Sequence, residues 1–327
     1  MSDPKKEFDV IIVGGGPAGL SAGIVSALKG LKTAVFEGGS WGGLLSTIYP
    51  KKKIYNFPGV PSIQASHLVS EWVRQAADHG VYLLKERVTE IFPDRHIETD
   101  AGESYWSKAI IITTGMRPNE LGIPGESKFS KRDRGVYSYV TDPEIFRNQR
   151  VLVVGGGDTA IDAVLDLSKV ATQIYLAHRR NRFRALEKNL ELVRTDKKVE
   201  ILTPYSIIEV FGNEIVEGAV LANIKTDEET RLNVDKVILA VGLRPNTEIF
   251  ANLKLEARGK FLKTDDLQRT NVEGIFAAGD IVSPYQLAVV AASQGALAAH
   301  AAYLYIRDPY WKQEYLDDST TLKRQIL

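Results

Sequence analysis

The stretch FDVIIVGGGPAGLSAGIVSALKGLKTAVFEGG (residues 8–39) decides the fold of this chain. Residues 8–13 are a compact apolar run, which is typical of a buried parallel strand. A glycine pattern at 14–19 follows, and then a helical stretch rich in small and apolar residues to about residue 29. A second apolar run ends this segment. The order strand, glycine turn, helix and strand predicts a dinucleotide-binding unit.

Each glycine of this pattern has a physical task. Gly14 permits the tight strand-to-helix turn, Gly16 lets the backbone approach a pyrophosphate, and Gly19 lets the helix pack closely on the strand. The N-terminus of the helix attracts phosphates. Glu37 stands 18 residues after Gly19, where a carboxylate can accept hydrogen bonds from an adenosine ribose. A glycine-rich turn without a ligand is the alternative interpretation.

The pattern returns in RVLVVGGGDTAIDAVLDLSKVATQIYLAHRR (150–180). We expect a strand at 151–154, a glycine turn, a helix and a strand at 173–177. The turn reads Gly155-x-Gly157-x-x-Ala160, and alanine at the third position still allows close packing of helix and strand. The chain therefore contains two nucleotide-binding signatures, which suggests two cofactors.

Positive charge is concentrated directly after the second strand of this repeat. His178, Arg179 and Arg180 stand where the first unit has its acid, and Arg184 lies one helical turn beyond. Arginines bind a phosphate through charge-assisted, often bidentate hydrogen bonds, whereas a carboxylate would repel it. The cluster predicts selection of NADP(H) through its adenosine 2′-phosphate. A solvated charged face is the alternative.

The composition of the chain argues against several other classes of function. With 327 residues, 44% of them apolar, the chain can form two domains. Its 41 basic and 41 acidic residues balance, which argues against a nucleic-acid partner. We see no membrane-length apolar run, no secretory signal and no metal-site spacing, and we expect a cytoplasmic protein. The absence of cysteine removes disulfides, thiol nucleophiles and thiolate metal sites.

Three later stretches complete the pattern. The sequences at 105–118 and 234–245 each predict a strand leading to a turn where the chain changes domain. Near the C-terminus we expect a strand that ends in Gly279-Asp280 and a small-residue helix that begins around Gln286. An aspartate there can hold the hydroxyls of a ribityl chain, and a helix N-terminus can stabilise negative charge on a reduced flavin ring.

These motifs together resemble the two-dinucleotide-binding-domain flavoproteins, and specifically the low-molecular-weight thioredoxin reductase family. The resemblance runs over essentially the whole chain, through GGGPAGLSAG, WGGLL, NFPG, TTG, HRRNRFRA, VGLRPN and EGIFAAGD. It implies an α/β fold of two Rossmann-like, three-layer ββα nucleotide-binding domains. An NADP(H)-binding domain at 119–242 would be inserted in a discontinuous FAD-binding domain at 1–118 and 243–327, and the protein would be a homodimer.

The resemblance also implies the residues of both sites. Those expected to bind FAD are Gly14, Gly16, Pro17, Ala18, Gly19, Glu37, Gly43, Leu44, Tyr49, Asn56, Val88, Thr114, Gly115, Gly279, Asp280, Gln286, Leu287, Ala288 and Thr321. Those expected to bind NADP(H) are Gly155, Gly157, Asp158, Thr159, His178, Arg179, Arg180, Arg184, Gly242 and Arg244.

One departure from the family bears directly on function. Thioredoxin reductases of this type carry a redox-active Cys-x-x-Cys before the second glycine pattern, and here Tyr139 and Asp142 stand in those positions. Neither side chain can pass electrons by thiol exchange. Asp142 is the candidate for a side chain near the flavin, and capping of the turn before Pro143 is the alternative.

A second branch of the family, the thioredoxin-reductase-like ferredoxin–NADP reductases, is similar in this region. The chain resembles it in the loop that holds Tyr49 and in the tail from Asp317. Leu44 departs from the family glutamine, and we find no ring in the tail to stack on the flavin. The expected function is NADPH oxidation through FAD with ferredoxin as acceptor. The alternatives are an NAD(P)H oxidase or flavin/quinone reductase, and a non-catalytic nucleotide sensor. Basic runs at 51–53 and 128–134 are candidate sites for an acidic ferredoxin.

Overall fold

The computed structural model describes residues 6–48, 50, 53–131 and 133–309. The chain divides into two compact units. Residues Met1–Met116 and Pro245–Leu327 form the discontinuous unit, and Arg117–Arg244 form the inserted unit.

Most of the secondary structure belongs to parallel sheets and the helices between their strands. In the described residues the strands β1–β21 are, in chain order, Glu7–Val13, Thr33–Phe36, Lys53–Ile54, Ile63–Gln64, Tyr82–Leu84, Val88–Ile91, His96–Thr99, Ser104–Ile112, Met116–Pro118, Val136–Tyr137, Arg150–Val154, Gln173–Ala177, Val199–Leu202, Tyr205–Phe211, Gly218–Asn223, Glu229–Leu232, Lys236–Leu239, Leu243–Pro245, Ala257–Arg258, Phe261–Leu262 and Ile275–Ala277. The helices α1–α7 are Pro17–Leu28, Leu44–Thr47, Ala65–Asp78, Glu126–Phe129, Asp158–Leu167, Glu187–Thr195 and Ala288–Arg307. Two 3₁₀ segments, Pro143–Phe146 and Glu248–Leu253, complete this part of the chain.

The discontinuous unit is built on a sheet whose described strands run β5-β2-β1-β8-β7-β6, with β21 paired to β8. Strands β5, β2, β1, β8 and β21 form the parallel part of this sheet. Strand β7 pairs with β8 and with β6 in antiparallel orientation. Alternate side chains of β1 enter different layers, because successive residues of a strand point to opposite faces. Val10 and Ile12 pack in the cluster that holds α1 and α7. Ile11 and Val13 pack in the cluster that contains Phe250.

The inserted unit repeats this scheme with a parallel sheet of order β10-β17-β11-β12-β13 in the described chain. Val151 and Val153 of β11 pack among the residues of α5 and α6. Leu152 and Val154 face the other way, toward the antiparallel strands β14 and β15. The sheet is therefore covered by helices on one face and by a second sheet on the other. These layers confirm the predicted α/β class.

Helix α7 begins later than expected. We expected it around Gln286, and it begins at Ala288. Ser283 Oγ accepts a hydrogen bond from the Tyr285 amide at 3.1 Å, and Leu287 is extended with φ −118° and ψ 133°. The turn at Ser283 and the extended Leu287 place the first helical residue two positions after Gln286.

Helix α7 also corrects the expectation that no apolar run reaches membrane length. Its 20 residues are long and apolar enough to cross a membrane by length and composition alone. One such helix is weak evidence, because core helices of soluble proteins pass the same test. Here Gly295, Ala298 and Ala302 are among its buried residues, and it packs with α1 in one core cluster.

The contact between α7 and α1 depends on Gly295. A Cβ at this position would lie 2.0 Å from the carbonyl oxygen of Ala18. Alanine favours a helix over glycine by about 1 kcal/mol, so Gly295→Ala would stabilise an uncrowded site. We expect the reverse, a loss of about 1–3 kcal/mol in the free energy of unfolding, since overpacking forces the two helices apart. Urea denaturation followed by circular dichroism measures this.

The matched control is Ser293→Ala, which changes an exposed position of the same helix. We expect its free energy of unfolding to stay within about 0.5 kcal/mol of the unsubstituted protein. An increase in stability of G295A would show that the helices are not in close contact at this position.

Candidate functional site

Predicted site residues follow neighbouring strands of the large sheet in the discontinuous unit. Gly14 follows β1, Glu37 follows β2, Thr113 follows β8 and Ala278-Gly279 follows β21. Strand β1 is parallel to β2 and β8, and β8 is parallel to β21. Because the carboxyl ends of parallel strands meet at the same edge of a sheet, these segments share one edge, where α/β proteins bind ligands.

The turn after β1 can be made only by glycines. Gly14 has φ +112°, and a Cβ on it would lie 2.4 Å from the carbonyl oxygen of Thr113. A Cβ on Gly19 would lie 1.8 Å from the carbonyl oxygen of Gly14. The hydroxyl of Thr113 also contacts the turn: it lies within donating distance of two backbone oxygens, that of Val13 at 3.0 Å and that of Gly14 at 2.9 Å. The turn is rigid and its backbone is accessible only from outside.

The accessible side is at Gly16 and the first turn of α1. No heavy atom lies within 4 Å of the position of a Cβ on Gly16. Gly16 is the N-cap of α1, Pro17 is at the start of the helix, and no side chain caps the free N–H groups. Gly43, with φ +55°, approaches from the other side, where its Cβ would lie 3.5 Å from Gly16 Cα. Uncapped N–H groups beside open space fit a pyrophosphate.

Glu37 is already bonded to the glycine turn. Its carboxylate accepts a hydrogen bond from the Gly15 amide at 2.8 Å and another from the Gly39 amide at 2.5 Å. Each carboxylate oxygen has a second lone-pair direction, so both oxygens can still accept a ribose hydroxyl. The ring of Trp41 covers Gly15, whose Cβ would lie 2.4 Å from the ring. The sequence contained no local signal for this role of Trp41.

Asp280 brings a half-buried carboxyl group to the same edge. In the ranges that the structure describes, its carboxyl group has no hydrogen-bond or ionic partner, and burial raises its pKa to about 6. The preceding Gly279 contacts the start of α1, since its Cβ would lie 2.9 Å from Ala18 Cβ, and its amide donates to Gln294 Oε1 at 3.0 Å. A buried carboxylate without a donor is costly, and a ligand hydroxyl would supply the missing hydrogen bond.

The other residues expected to bind FAD are more dispersed. Thr114 Oγ1 donates to the backbone oxygen of Asn246 at 2.9 Å, and Asn246 Nδ2 donates to the backbone oxygen of Thr114 at 2.7 Å. The backbone amide of Asn246 also donates to the Gly115 oxygen at 3.1 Å, so three hydrogen bonds hold this segment. Val88 is buried at the start of β6 and directly follows Arg87, whose Nη2 donates to the Gly38 oxygen at 3.2 Å.

Several expected residues are exposed or undescribed. Leu44 begins α2 and Ala288 begins α7, both half-buried, whereas Asn56, Gln286 and Leu287 are exposed. Tyr49, Thr321, Lys51, Lys52, Arg132 and the tail from Asp317 lie outside the described residues. Binding of a ligand by any of these residues stays a prediction.

The inserted unit has the same arrangement at the end of β11. Gly155, with φ +155°, directly follows β11, and its Cβ would lie 2.4 Å from the oxygen of Ala240, which follows β17. Gly157 is the N-cap of α5, no side chain caps that helix, and nothing lies within 4 Å of a Cβ on Gly157. Asp158 and Thr159 begin α5. This second turn also offers free N–H groups to a phosphate.

The basic cluster lies directly beside this turn. His178 is buried, and its ring contacts Gly156, whose Cβ would lie 2.4 Å from it. Burial lowers the pKa of His178, a hydrogen bond to the backbone of Arg182 opposes this, and the charges of Arg184, Arg179 and Arg180 lower it further. These three arginines are exposed, and in the part of the chain that the structure describes no acidic side chain pairs with them. Unpaired arginines beside a helix N-terminus fit a phosphate group.

Arg244 and Asp142 have other partners. Arg244 Nη2 bonds Glu120 Oε2 at 2.8 Å, so a ligand phosphate would have to share or replace this ion pair. The amide of Asn119 donates to the oxygen of Gly242 at 3.0 Å. Asp142 is the N-cap of the 3₁₀ segment Pro143–Phe146 and accepts a hydrogen bond from the Glu144 amide at 3.1 Å. The capping alternative for Asp142 is therefore observed, and its role near a flavin stays a prediction.

Comparison with known proteins assigns the family. The sequence profile of the pyridine nucleotide-disulphide oxidoreductase family matches residues 8–295. The chain belongs to this family. Proteins of this family use FAD and NADP(H). The open glycine turns, the unpartnered Asp280 carboxyl and the unpaired arginines of this pyridine nucleotide-disulphide oxidoreductase fit those two cofactors.

Individual relatives carry two different names. The ferredoxin–NADP reductase of Thermus thermophilus is 38% identical over 311 residues, which are 91% of this chain and 92% of that protein. The thioredoxin reductase of Treponema pallidum is 36% identical over 306 residues, 92% of this chain and 97% of that protein. The crystal structure of Lactococcus lactis thioredoxin reductase in its FR conformation matches with a TM-score of 0.83 at 32% identity, and covers 92% of this chain and 99% of that one. The resemblance inferred from the motifs is confirmed.

The raised pKa of Asp280 predicts a pH-dependent effect on stability. The folded protein holds this proton up to about pH 6, whereas an ordinary aspartate has a pKa of 3.8. The folded state therefore binds more protons than the unfolded state between these values, and this residue destabilises the flavin-free protein as the pH rises through this window. We expect Asp280→Asn to stabilise the flavin-free protein by about 2–3 kcal/mol at pH 8 and much less at pH 4.

Chemical denaturation of the flavin-free protein at several pH values measures this difference. Asp78→Asn, at an exposed aspartate of α3, is the matched control and should show no such pH dependence. A D280N advantage of equal size at pH 4 and pH 8 would show that ionisation of Asp280 is not the cause.

Proposed function

We propose that this protein is an NADPH-dependent FAD oxidoreductase that passes electrons to a ferredoxin without a thiol relay. The observation that carries the proposal is the complete absence of cysteine in a member of a pyridine nucleotide-disulphide oxidoreductase family. Tyr139 and Asp142, in the positions expected for the redox thiols, cannot form or exchange a disulfide. Reduction of thioredoxin by the family route therefore lacks its reactive groups in this chain.

We assign FAD to the discontinuous unit. The open N-terminus of α1 would hold the pyrophosphate, Glu37 would accept a ribose hydroxyl, and Asp280 would accept a hydroxyl of the ribityl chain. When bound, the flavin supplies the chemistry that accepts hydride from a reduced nicotinamide and releases electrons to a carrier. The chain's own contribution is to bind the cofactor, to fix its orientation and to exclude water from its buried part.

We assign NADP(H) to the inserted unit. The N-terminus of α5 faces open space at Gly157 and would hold the pyrophosphate. Arg179, Arg180 and Arg184 carry unpaired positive charge where a 2′-phosphate would lie, and no acid stands there to favour an unphosphorylated ribose. This difference in charge between the two turns supports the assignment of the two cofactors.

Chemistry and the name of one relative support ferredoxin as the proposed acceptor. A cysteine-free chain needs an acceptor that takes electrons without thiol exchange, and the Thermus thermophilus relative is named for ferredoxin. An acidic ferredoxin would dock on basic segments, for which 51–53 and 128–134 are the candidates. The homodimer and the cytoplasmic location stay predictions.

Reduction of different acceptors tests this function directly. We expect NADPH-driven reduction of cytochrome c to rise at least about tenfold when ferredoxin is added, because ferredoxin and not the cytochrome is the docking partner. Assays without ferredoxin, with oxygen alone and with thioredoxin are the controls. Oxygen or quinone reduction faster than ferredoxin reduction would identify an oxidase or quinone reductase instead. A flavin that NADPH does not bleach under anaerobic conditions would identify a sensor.

The preference for NADPH is tested at the basic cluster. We expect the double variant Arg179→Ala/Arg180→Ala to raise the KM for NADPH at least about tenfold, since charge-assisted hydrogen bonds to phosphate are lost. The KM for NADH should stay nearly unchanged. Arg182→Ala removes a neighbouring exposed arginine and is the matched control. Equal losses for both cofactors in the double variant would contradict the assignment of the 2′-phosphate site.

A further inference from the structure

The segment that carries the arginines is attached to the glycine turn at separate points. This segment, residues 178–186, runs from the end of β12 to the start of α6. The Arg184 amide donates to the Gly156 oxygen at 2.7 Å, and the Leu186 amide donates to Asp158 Oδ1 at 2.9 Å. The ring of His178 packs on Gly156 at the other end of the segment. Two attachments are backbone or ring contacts, and the third depends on the side chain of Asp158.

The presence of an acid at position 158 needs an explanation. Asp158 is the first residue of α5, beside the N–H groups expected to hold a pyrophosphate. The helix dipole stabilises a negative charge at this position by about 0.3–1 kcal/mol, but the same charge repels a bound phosphate. A neutral residue would bind the phosphate better if the side chain had no other task. The hydrogen bond to Leu186 is such a task.

The arginines depend on their backbone for position. Arg179, Arg180 and Arg184 are exposed, and within the described ranges no carboxylate holds their guanidinium groups. Their position beside the turn is therefore set by the fold of segment 178–186 and not by ion pairs. A long side chain loses binding free energy when its backbone is free to move, because the rotamers must then be ordered by the ligand.

We propose that Asp158 is a positioning residue that fixes the arginine segment on the glycine turn and thereby sets the preference for a 2′-phosphorylated dinucleotide. The proposal rests on the proposed NADP(H) site of the inserted unit. It assigns to Asp158 a contact with Leu186 of its own chain, in place of the direct ligand contact expected from the motif. The acceptor oxygen is what matters, and the charge is not required.

Measurements of dinucleotide binding in the absence of catalysis test the positioning role of Asp158. The FAD-loaded, oxidised enzyme is titrated with NADP⁺ and with NAD⁺ in a calorimeter, and the ratio of the two Kd values measures selectivity. We expect Asp158→Ala to lower the selectivity for NADP⁺ about tenfold, mainly by weakening NADP⁺ binding, since one hydrogen bond that orders the segment is lost. We expect Asp158→Asn to retain the ratio within about twofold, because its amide oxygen can accept the same hydrogen bond.

The matched control is Asp166→Ala, which removes an exposed acid of the same helix that pairs with Lys169. Its selectivity should equal that of the unsubstituted enzyme. A ratio that Asp158→Ala leaves unchanged would overturn the proposal. Equal losses of selectivity in D158A and D158N would also overturn it, because they would make the charge and not the acceptor oxygen responsible.

A second variant, Gly156→Ala, alters the contact at the other end of segment 178–186. A Cβ on Gly156 would lie 2.4 Å from the His178 ring, and Gly156 needs no left-handed backbone. Gly156→Ala should therefore displace the ring and lower selectivity for NADP⁺ in the same direction, even if D158A proves too unstable to measure. Retained selectivity in G156A would contradict the role of the segment.

The same titrations separate this proposal from the function on which it rests. If the unsubstituted enzyme binds NADP⁺ and NAD⁺ with equal Kd, the NADP(H) assignment is wrong and the positioning role is wrong with it. If the unsubstituted enzyme prefers NADP⁺ and both D158A and G156A keep that preference, only the positioning role is wrong.

Discussion

The close approach of backbone to backbone around the first turn of helix α1 is the constraint on which the discontinuous unit depends. A Cβ on Gly19 would overlap the carbonyl oxygen of Gly14, and one on Gly295 would overlap that of Ala18. The helix is therefore enclosed by β1 on one side and by α7 on another. Its N-terminal N–H groups lie at the sheet edge that also carries Glu37 and Asp280, so this packing positions the candidate site.

The two glycine turns have the same backbone arrangement, but the charged side chains beside them have opposite signs. In the discontinuous unit a carboxylate, Glu37, bonds the Gly15 amide, and the Trp41 ring covers that glycine. In the inserted unit the His178 ring covers Gly156, and the charged groups that follow are arginines. An aromatic ring thus shields the middle glycine in both cases, while the residue after the second strand differs. The arginines themselves are exposed, so the contrast at this position is one of charge, and it underlies the proposed assignment of the two cofactors.

Patterns within short stretches of sequence predicted the strands and turns, because these elements depend mainly on neighbouring residues. The apolar runs predicted strands β1, β11 and β12. The glycine spacing predicted both turns, because the positive φ of Gly14 and Gly155 and the close backbone contacts there require glycine. Helix α7 starts two residues after the expected position, because Leu287 is extended and acts as its N-cap. Gln294 on Gly279, Trp41 on Gly15 and Asp158 on Leu186 were missed. These contacts join positions that only the folded chain brings together, so no periodicity or spacing indicates them.

The segment with Tyr139 and Asp142 has a structural task although it contains no thiol. Asp142 uses its carboxylate to cap the 3₁₀ turn at Pro143, so the position expected for a sulfur contributes a stabilising hydrogen bond to the backbone. The turn is retained, but nothing in it can accept or donate electrons. A dithiol would have been an acceptor inside the protein. In the proposed function the acceptor reaches the cofactor from solution, and its selection depends on the surface around the proposed flavin site instead of on a reactive pair within the chain.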